Sequence, residues 1–411
     1  MVGGEAGPAI ALAARLVVRL ATIMGADRLV PITGAHVDGC LYHGPVSTDF
    51  ARRLVDGGGA VRVPTTLNVG SVDLLHPTIV RGDPAVTAAG RELMRLYAAL
   101  GCRPTWTCAP YQLMERPGLG EHVAWAESNA IVFANSVLGA RTERYGDFID
   151  IAAGIVGRAP HAGLHRDDRR VGRVLFRLRS IPPRLAAADV LFATLGHYVG
   201  RRSGTDIPVI EGIDLASEDQ LKAFGAAAAA SGSVAMFHWV GVTPEAPTLA
   251  AACGGALPPR AFEVRASDLR TVADALNSAR GERLGAVSIG TPHFSLAEFE
   301  QLLTLLDGRR VSARIEFFVS TGRGVLETLT ARGWLEPLTR SGIRLVTDTC
   351  TYVTPILTPT SGAVMTNSAK WAWYAPTNLG VPVIFGSLAE CVESGVRGAI
   401  WRDPSLWHDG N

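Results

Sequence analysis

The sequence predicts a multi-domain α/β enzyme, on three observations. Short apolar runs alternate with amphipathic runs along the whole chain. Unusual polar residues gather where the apolar runs end, which is where an open α/β sheet holds its site. The composition, 47% hydrophobic and 19% charged over 411 residues, suits a large packed core rather than a disordered or fibrous chain.

The formal net charge is +1, which gives no electrostatic case for nucleic acid or an acidic membrane surface as partner. The basic residues are almost all arginine, and lysine occurs only at Lys222 and Lys370. The six cysteines, Cys40, Cys102, Cys108, Cys253, Cys350 and Cys391, are scattered over a long chain. That is not a disulfide framework, and reduced thiols in a cytoplasmic protein are expected.

Taken in order, residues 9–24 read as an amphipathic helix, because Arg15 and Arg19 interrupt an otherwise apolar run. LVPIT reads as a short buried strand, followed by a glycine-bearing turn over residues 34–40. A helix over 47–58 and a strand at AVRV lead to a polar strand end at Pro64–Asn68. A helix over 84–100 precedes the most unusual stretch, residues 101–150. Cys102 and Cys108 there are six apart, which is not a zinc CxxC spacing. Glu127 lies inside VAWAESNAIVFANS, an apolar helical pattern, so its carboxylate must be paired, hydrogen-bonded or functional. Residues 166–180 read as a surface turn and an edge strand with a solvated charged face.

A composition change over 181–206 suggests a domain junction. Beyond it come a strand at IPVIEGI, a helix capped by Ser217 and carrying an exposed Lys222, and a strand at SVAMFHWVGV. Strand–loop–helix units then repeat: GAVSIG, a polar loop at Thr291–Ser295, LAEFEQLLTLL, RIEFFVS, GVLETLTARG, and IRLVTDT ending at Cys350. The last unit runs from Met365 through Lys370 to PVIFGS and LAECVESGV, with residues after 400 as a surface extension. The expected division is 1–205, carrying Cys108; 206–335; and 336–411, packing back on the site with Cys350 and Lys370.

Several blocks name a family. VPITGAHVDG, VPTTLN, RPTWTCAPYQ, ESNAxxFANSVLGARTxRYGDF, GVTPEAPT, PHFSLAE, DTCxxxTPI and MTNSAK resemble, in order and spacing, the large subunit of aconitase X, a branch of the aconitase superfamily. The resemblance runs from about residue 5 to about residue 400. It implies an aconitase-like α/β/α architecture with largely parallel sheets and without the swivelling small domain. It also implies a hydro-lyase. The bacterial members are similar to cis-3-hydroxy-L-proline dehydratase, which forms a pyrroline-2-carboxylate, and the archaeal members to phosphomevalonate dehydratase. The GVTPEAPT, PHFS and Trp-Thr-Cys-Ala-Pro-Tyr blocks favour the hydroxyproline type.

By the same resemblance, Cys108 and Cys350 match two iron–sulfur ligand positions, and the third position, cysteine in archaeal relatives, falls on Thr291. A hydroxyl is a poor ligand for a soft cluster. An iron–sulfur cluster or mononuclear iron, with solvent or Cys391 completing the shell, stays open, as does a cluster-less binding or assembly subunit. Substrate contacts carry over to Gly39, Cys40, Leu41, Asn68, Val69, Glu127, Ser128 and Lys370. Lys370 would anchor a carboxylate or phosphate, and Glu127, Ser128 and Lys370 form the catalytic set, with Glu127 or a partner serine moving the proton. Nothing in the sequence resembles the family's small part, so a separate small swivel-domain subunit is the expected partner.

Overall fold

The computed structural model describes residues 1–358 and 362–407. Three parallel sheets form its frame. The first orders its strands Thr65–Leu67, Gly34–Val37, Val123–Trp125; the second His238–Trp239, Pro208–Glu211, Val174–Leu178, Arg260–Val264. The third runs Ile343–Val346, Glu316–Thr321, Leu284–Phe294, Ala363–Thr366, Val383–Phe385. A small antiparallel pair, Leu29–Pro31 with Arg158–Pro160, closes the base of the first unit. Parallel neighbours need crossovers, and helices supply them, which explains the alternation in the sequence.

Each sheet has its own apolar core. The first gathers Val37, Leu54, Leu67, Leu93 and Ile155, and the third Val287, Phe299, Phe317 and Leu329. The second core, around Phe176, Phe192, Phe224 and Trp239, continues into Val364, Trp371 and Phe385 of the third sheet's unit, so those two share one interior. Helices Asp189–Ser203 and Glu218–Ser231 approach closely because their contact face is glycine and alanine: a Cβ at Gly196 would lie 2.2 Å from the Phe224 carbonyl oxygen.

Several sequence expectations change. Residues 166–180 hold no edge strand: Val174–Leu178 is flanked by partners on both sides, and four of its five residues are buried. Its arginines mislead, since Arg177 is neutralised by Glu211 on the neighbouring strand. The strand that enters the first sheet is Gly34–Val37, read from the sequence as a turn, while LVPIT contributes Leu29–Pro31 to the antiparallel pair. AVRV is irregular, and its strand begins two residues later at Thr65. Thr291–Phe294 continues the strand from Leu284, where a loop was expected. SVAMFHWVGV contributes only His238–Trp239, and 181–206 is largely helical, Pro183–Ala187 and Asp189–Ser203. Hydrogen bonding between Val174–Leu178 and Pro208–Glu211, and between Glu316–Thr321 and Ile343–Val346, spans residues 205 and 335. The sheets therefore do not divide at those positions.

Lys222 is buried, not exposed, paired with Asp219 at 2.8 Å and with Glu298. Leu406 packs into the second core, so the end of the described chain is partly anchored. No helix among the described residues is long and apolar enough to cross a membrane.

Candidate active site

Three strands of the first sheet end at one place. Val37 leads to Asp38, Leu67 to Asn68, and Trp125 through Ala126 to Glu127. VAWAESNAIVFANS divides here into strand Val123–Trp125 and helix Ser128–Phe133, with Glu127 as the residue that caps the helix. The helical pattern in the sequence hid that cap, because the apolar residues before and after it fit one continuous helical face.

Glu127 is 4% exposed. Its Oε2 accepts the backbone N–H of Ala130 at 2.8 Å and the amide of Asn129, while Oε1 accepts Lys370 Nζ at 2.5 Å and the Ser128 hydroxyl at 3.3 Å. The Lys370 ammonium also reaches Ser128 Oγ at 3.4 Å. Burial disfavours the Lys370 charge, but Glu127 beside it outweighs this and holds the ammonium well above the usual lysine range. Lys370 stands in the first turn of helix Ala369–Asn378, whose N-cap is Ser368. Residues 243 apart in the chain thus meet as a buried ion pair.

Beside this pair lie Cys108 and Cys350, in a small apolar cluster with Val69, Leu41 and Tyr352. One potential ligand atom each from Cys108, Cys350 and His293 lies within 4.8 Å of the others. Cys350 is raised well above the usual thiol range by its hydrogen bond to Cys108 and by burial, with Lys370 opposing. The backbone N–H of His293 points at Cys108 Sγ, 3.3 Å away. Burial pushes the His293 imidazole down to about 4, so it is neutral and able to ligate. Its ring nitrogens are occupied by the Thr107 hydroxyl at 3.1 Å and the Thr349 carbonyl at 3.2 Å, and ligation requires one of them to give way. Two sulfurs and an imidazole are the donor types that iron, iron–sulfur centres and zinc accept, so these residues fit a metal.

Thr291 is not among these donors. Its hydroxyl is buried, has no hydrogen-bond partner among the described residues, and lines a small cavity with Lys222 and Ser368. His293, two residues on, is the side chain that comes to the thiols, and the sequence reading missed it. The PHFS block is the signal for it, but in the sequence it reads as a strand-end loop. Cys391 is in the core of the third unit with Leu388 and Val392, not in the group formed by Cys108, His293 and Cys350.

Among the other expected contacts, Leu41 and Val69 border the thiols. Asn68 is buried and donates to Asp38, and its Oδ1 has no hydrogen-bond partner among the described residues. The Cys40 side chain points into the first core, its Sγ 3.5 Å from the Val37 carbonyl oxygen, and not toward the thiols. Gly39 accommodates Tyr97, whose hydroxyl would lie 2.7 Å from a Cβ there.

The first and third units are clasped next to the thiols. Asp73, fully buried, accepts the Thr347 N–H at 2.8 Å and its hydroxyl at 3.0 Å. Asp348 accepts the Leu74 N–H at 3.1 Å and is paired with Arg323 at 2.6 Å. These bonds hold the segment carrying Cys350 against the first unit, where Cys350 packs with Val69. The larger cleft, about 1040 Å³ between residues 104–116 and the helices starting near Ser217, Ser295 and Gly322, contains none of the expected site residues.

A buried lysine–glutamate pair and a thiol–imidazole group of metal-compatible donors, brought together at strand ends of parallel sheets, make this the candidate active site of a multi-domain α/β enzyme. Family models sharpen this: those of the aconitase X first, second and third domains match residues 1–168, 172–274 and 284–397. The chain belongs to the aconitase X family. It is 44% identical to cis-3-hydroxy-L-proline dehydratase of Pseudomonas aeruginosa, over 97% of this chain and 69% of that protein. It is 35% identical to the phosphomevalonate dehydratase large subunit of Thermococcus kodakarensis, over 91% of this chain and 92% of that protein. The crystal structure of Thermococcus kodakaraensis aconitase X in its holo-form superposes with a TM-score of 0.86 at 33% identity, covering 96% of this chain and 97% of the other.

Proposed function

We propose that the chain is the large catalytic part of a hydro-lyase that removes water from a small hydroxy acid, and that this acid is cis-3-hydroxy-L-proline, giving a pyrroline-2-carboxylate. The observation that carries the reading is the buried Glu127–Lys370 pair alongside Cys108 and Cys350. Identity of 44% and 43% to two cis-3-hydroxy-L-proline dehydratases, from Pseudomonas aeruginosa and Hypocrea jecorina, supports the substrate.

Cys108 and Cys350, with His293 as third donor, would hold iron or an iron–sulfur centre. Such a centre supplies Lewis acidity for C–O cleavage. The chain's own residues do the rest. An ammonium has three N–H donors, and Lys370 directs two at Glu127 and Ser128, leaving one for the substrate carboxylate. Leu41 and Val69 supply apolar wall against the ring carbons. Glu127 holds Lys370 in place and charged.

A small swivel-domain subunit, of the kind implied by the name of the archaeal large subunits, would cover the site and contribute a proton-accepting group. Cytoplasmic residence suits free thiols: all six cysteines are buried and unpaired.

The test is an assay of the iron-loaded chain together with its small partner. Turnover of cis-3-hydroxy-L-proline, with product formation at least about tenfold faster than with mevalonate 5-phosphate, is the expected result. Preference for the phosphorylated substrate would overturn the assignment.

A further inference from the structure

Asp38 is not in the expected set of site residues, yet it stands at the end of the central strand, between Asn68 and Glu127. The two carboxyls there are held differently. Glu127 takes donors on both oxygens, from Lys370, Ser128, Asn129 and the Ala130 N–H. A carboxylate so satisfied has no oxygen free to offer a substrate. Asp38 is half-buried and has no cationic partner among the described residues. Its Oδ1 accepts from Asn68, and its Oδ2 receives no hydrogen bond among the described residues.

The backbone here is fixed. The Asp38 N–H donates to Asp150 Oδ2 at 2.7 Å, Asp150 also takes the Ile151 N–H at 2.7 Å, and Tyr97 packs on Gly39. A carboxyl with one oxygen anchored and the other free, on a pinned backbone, is oriented for proton transfer.

We infer that Asp38 is a catalytic acid of this site, its free oxygen delivering the proton that lets the substrate hydroxyl leave as water. The inference rests on the hydro-lyase reading above. The dehydration breaks one C–H and one C–O bond and forms a C=C bond. The hydrogen leaves as a proton to a base, and its electron pair becomes the π bond. The hydroxyl leaves with the C–O pair and takes the Asp38 proton, forming water. The Asp38 carboxylate regains a proton from solvent, matching the one the base sheds.

The surroundings favour the protonated form. Burial, then Glu127 and Asp147, push Asp38 up to about 8, with Asn68 opposing and Asp150 adding to the rise. The titratable groups facing it are thus Glu127 beyond the adjacent strand, Asp147 and Asp150 from the helix-entry segment, and Cys40 on its own loop.

The test uses the iron-loaded enzyme with its small partner, as wild type, Asp38→Asn and Asp38→Glu. Asparagine keeps the acceptor for Asn68 and loses only the proton. Expected are a kcat of Asp38→Asn lower by roughly 10²-fold or more with KM within about threefold of wild type, and partial recovery in Asp38→Glu. Wild-type kcat should fall above about pH 8, and Asp38→Asn should lack that limb. Melting temperatures of the three proteins separate lost chemistry from lost folding. Wild-type turnover with Asp38→Asn of near-equal kcat and an unchanged pH profile overturns this inference alone. A kcat loss matched by a lower melting temperature, with the basic limb retained, assigns Asp38 a structural role and also overturns it. A wild type that dehydrates none of the hydroxy acids overturns the functional reading, and this one with it.

Discussion

Glu127 shows how much of the site depends on single contacts. Lys370 is its only cationic partner among the described residues, and both side chains are almost fully enclosed. Removing one member of a buried pair strands the other, at a cost of about 3–5 kcal/mol. Lys370→Ala is therefore expected to lose turnover and to lower the unfolding free energy by about that amount, measured by denaturant titration. Unchanged turnover would refute the anchoring role. Asp150 gives a pH prediction. Burial raises its carboxyl to about 7, against the pull of the Asp38 and Ile151 N–H groups. The unfolded chain releases this proton near pH 4. Between those values the native state holds this proton and the unfolded state does not, so the contribution of Asp150 to stability is full below about pH 4 and is lost as pH rises to about 7. Melting scans should show a shallower decline across that window in Asp150→Asn than in wild type. Glu127 and Lys370 stand out in the sequence, because a carboxylate in an apolar run and a rare lysine are visible anomalies, whereas Cys108 and Cys350 are picked out only by the family resemblance. Asp38 and His293 were not legible as site residues. A polar residue in a glycine-bearing turn, or in an expected loop, looks ordinary until the strand ends are seen to converge.

At the scale of elements, the clasp around Asp73 and the contact between helices Asp189–Ser203 and Glu218–Ser231 bear most on the site. Asp73→Ala would leave the Thr347 N–H and hydroxyl without their acceptor, each buried. The expected cost is about 2–5 kcal/mol, with Cys350 loosened from the first unit. Loss of stability with full metal retention would show that the clasp does not position Cys350. Gly196→Ala would push a methyl into the Phe224 backbone, since 2.2 Å is far inside contact distance. Destabilisation by about 1–3 kcal/mol follows from overpacking. Helices were mostly readable from the sequence: Ser217 caps Glu218–Ser231 as expected, with Gln220 completing the capping box. Strands were less so. Several are three or four residues long, too short for alternation to register, and Val174–Leu178 carries an arginine that gives an interior strand the appearance of an edge.

For the whole molecule, the reading of a multi-domain α/β chain with largely parallel sheets agrees with the structure, and the aconitase X resemblance agrees with the three family-model matches. What composition and periodicity could not give was which sheet each unit joins, because that depends on pairings between residues far apart. The site is a property of the assembled chain: Cys108 and Glu127 come from the first unit, His293, Cys350 and Lys370 from the third. The central claim is that this junction holds a metal and dehydrates a hydroxy acid there. Its most direct test is anaerobic reconstitution of the wild type and of Cys108→Ser with Cys350→Ser, reading iron, sulfide and visible absorption alongside turnover of cis-3-hydroxy-L-proline with the small partner present. The account predicts iron binding and turnover in the wild type, and loss of both in the double variant. A wild type that takes up no iron, or a double variant that keeps full turnover, would contradict it.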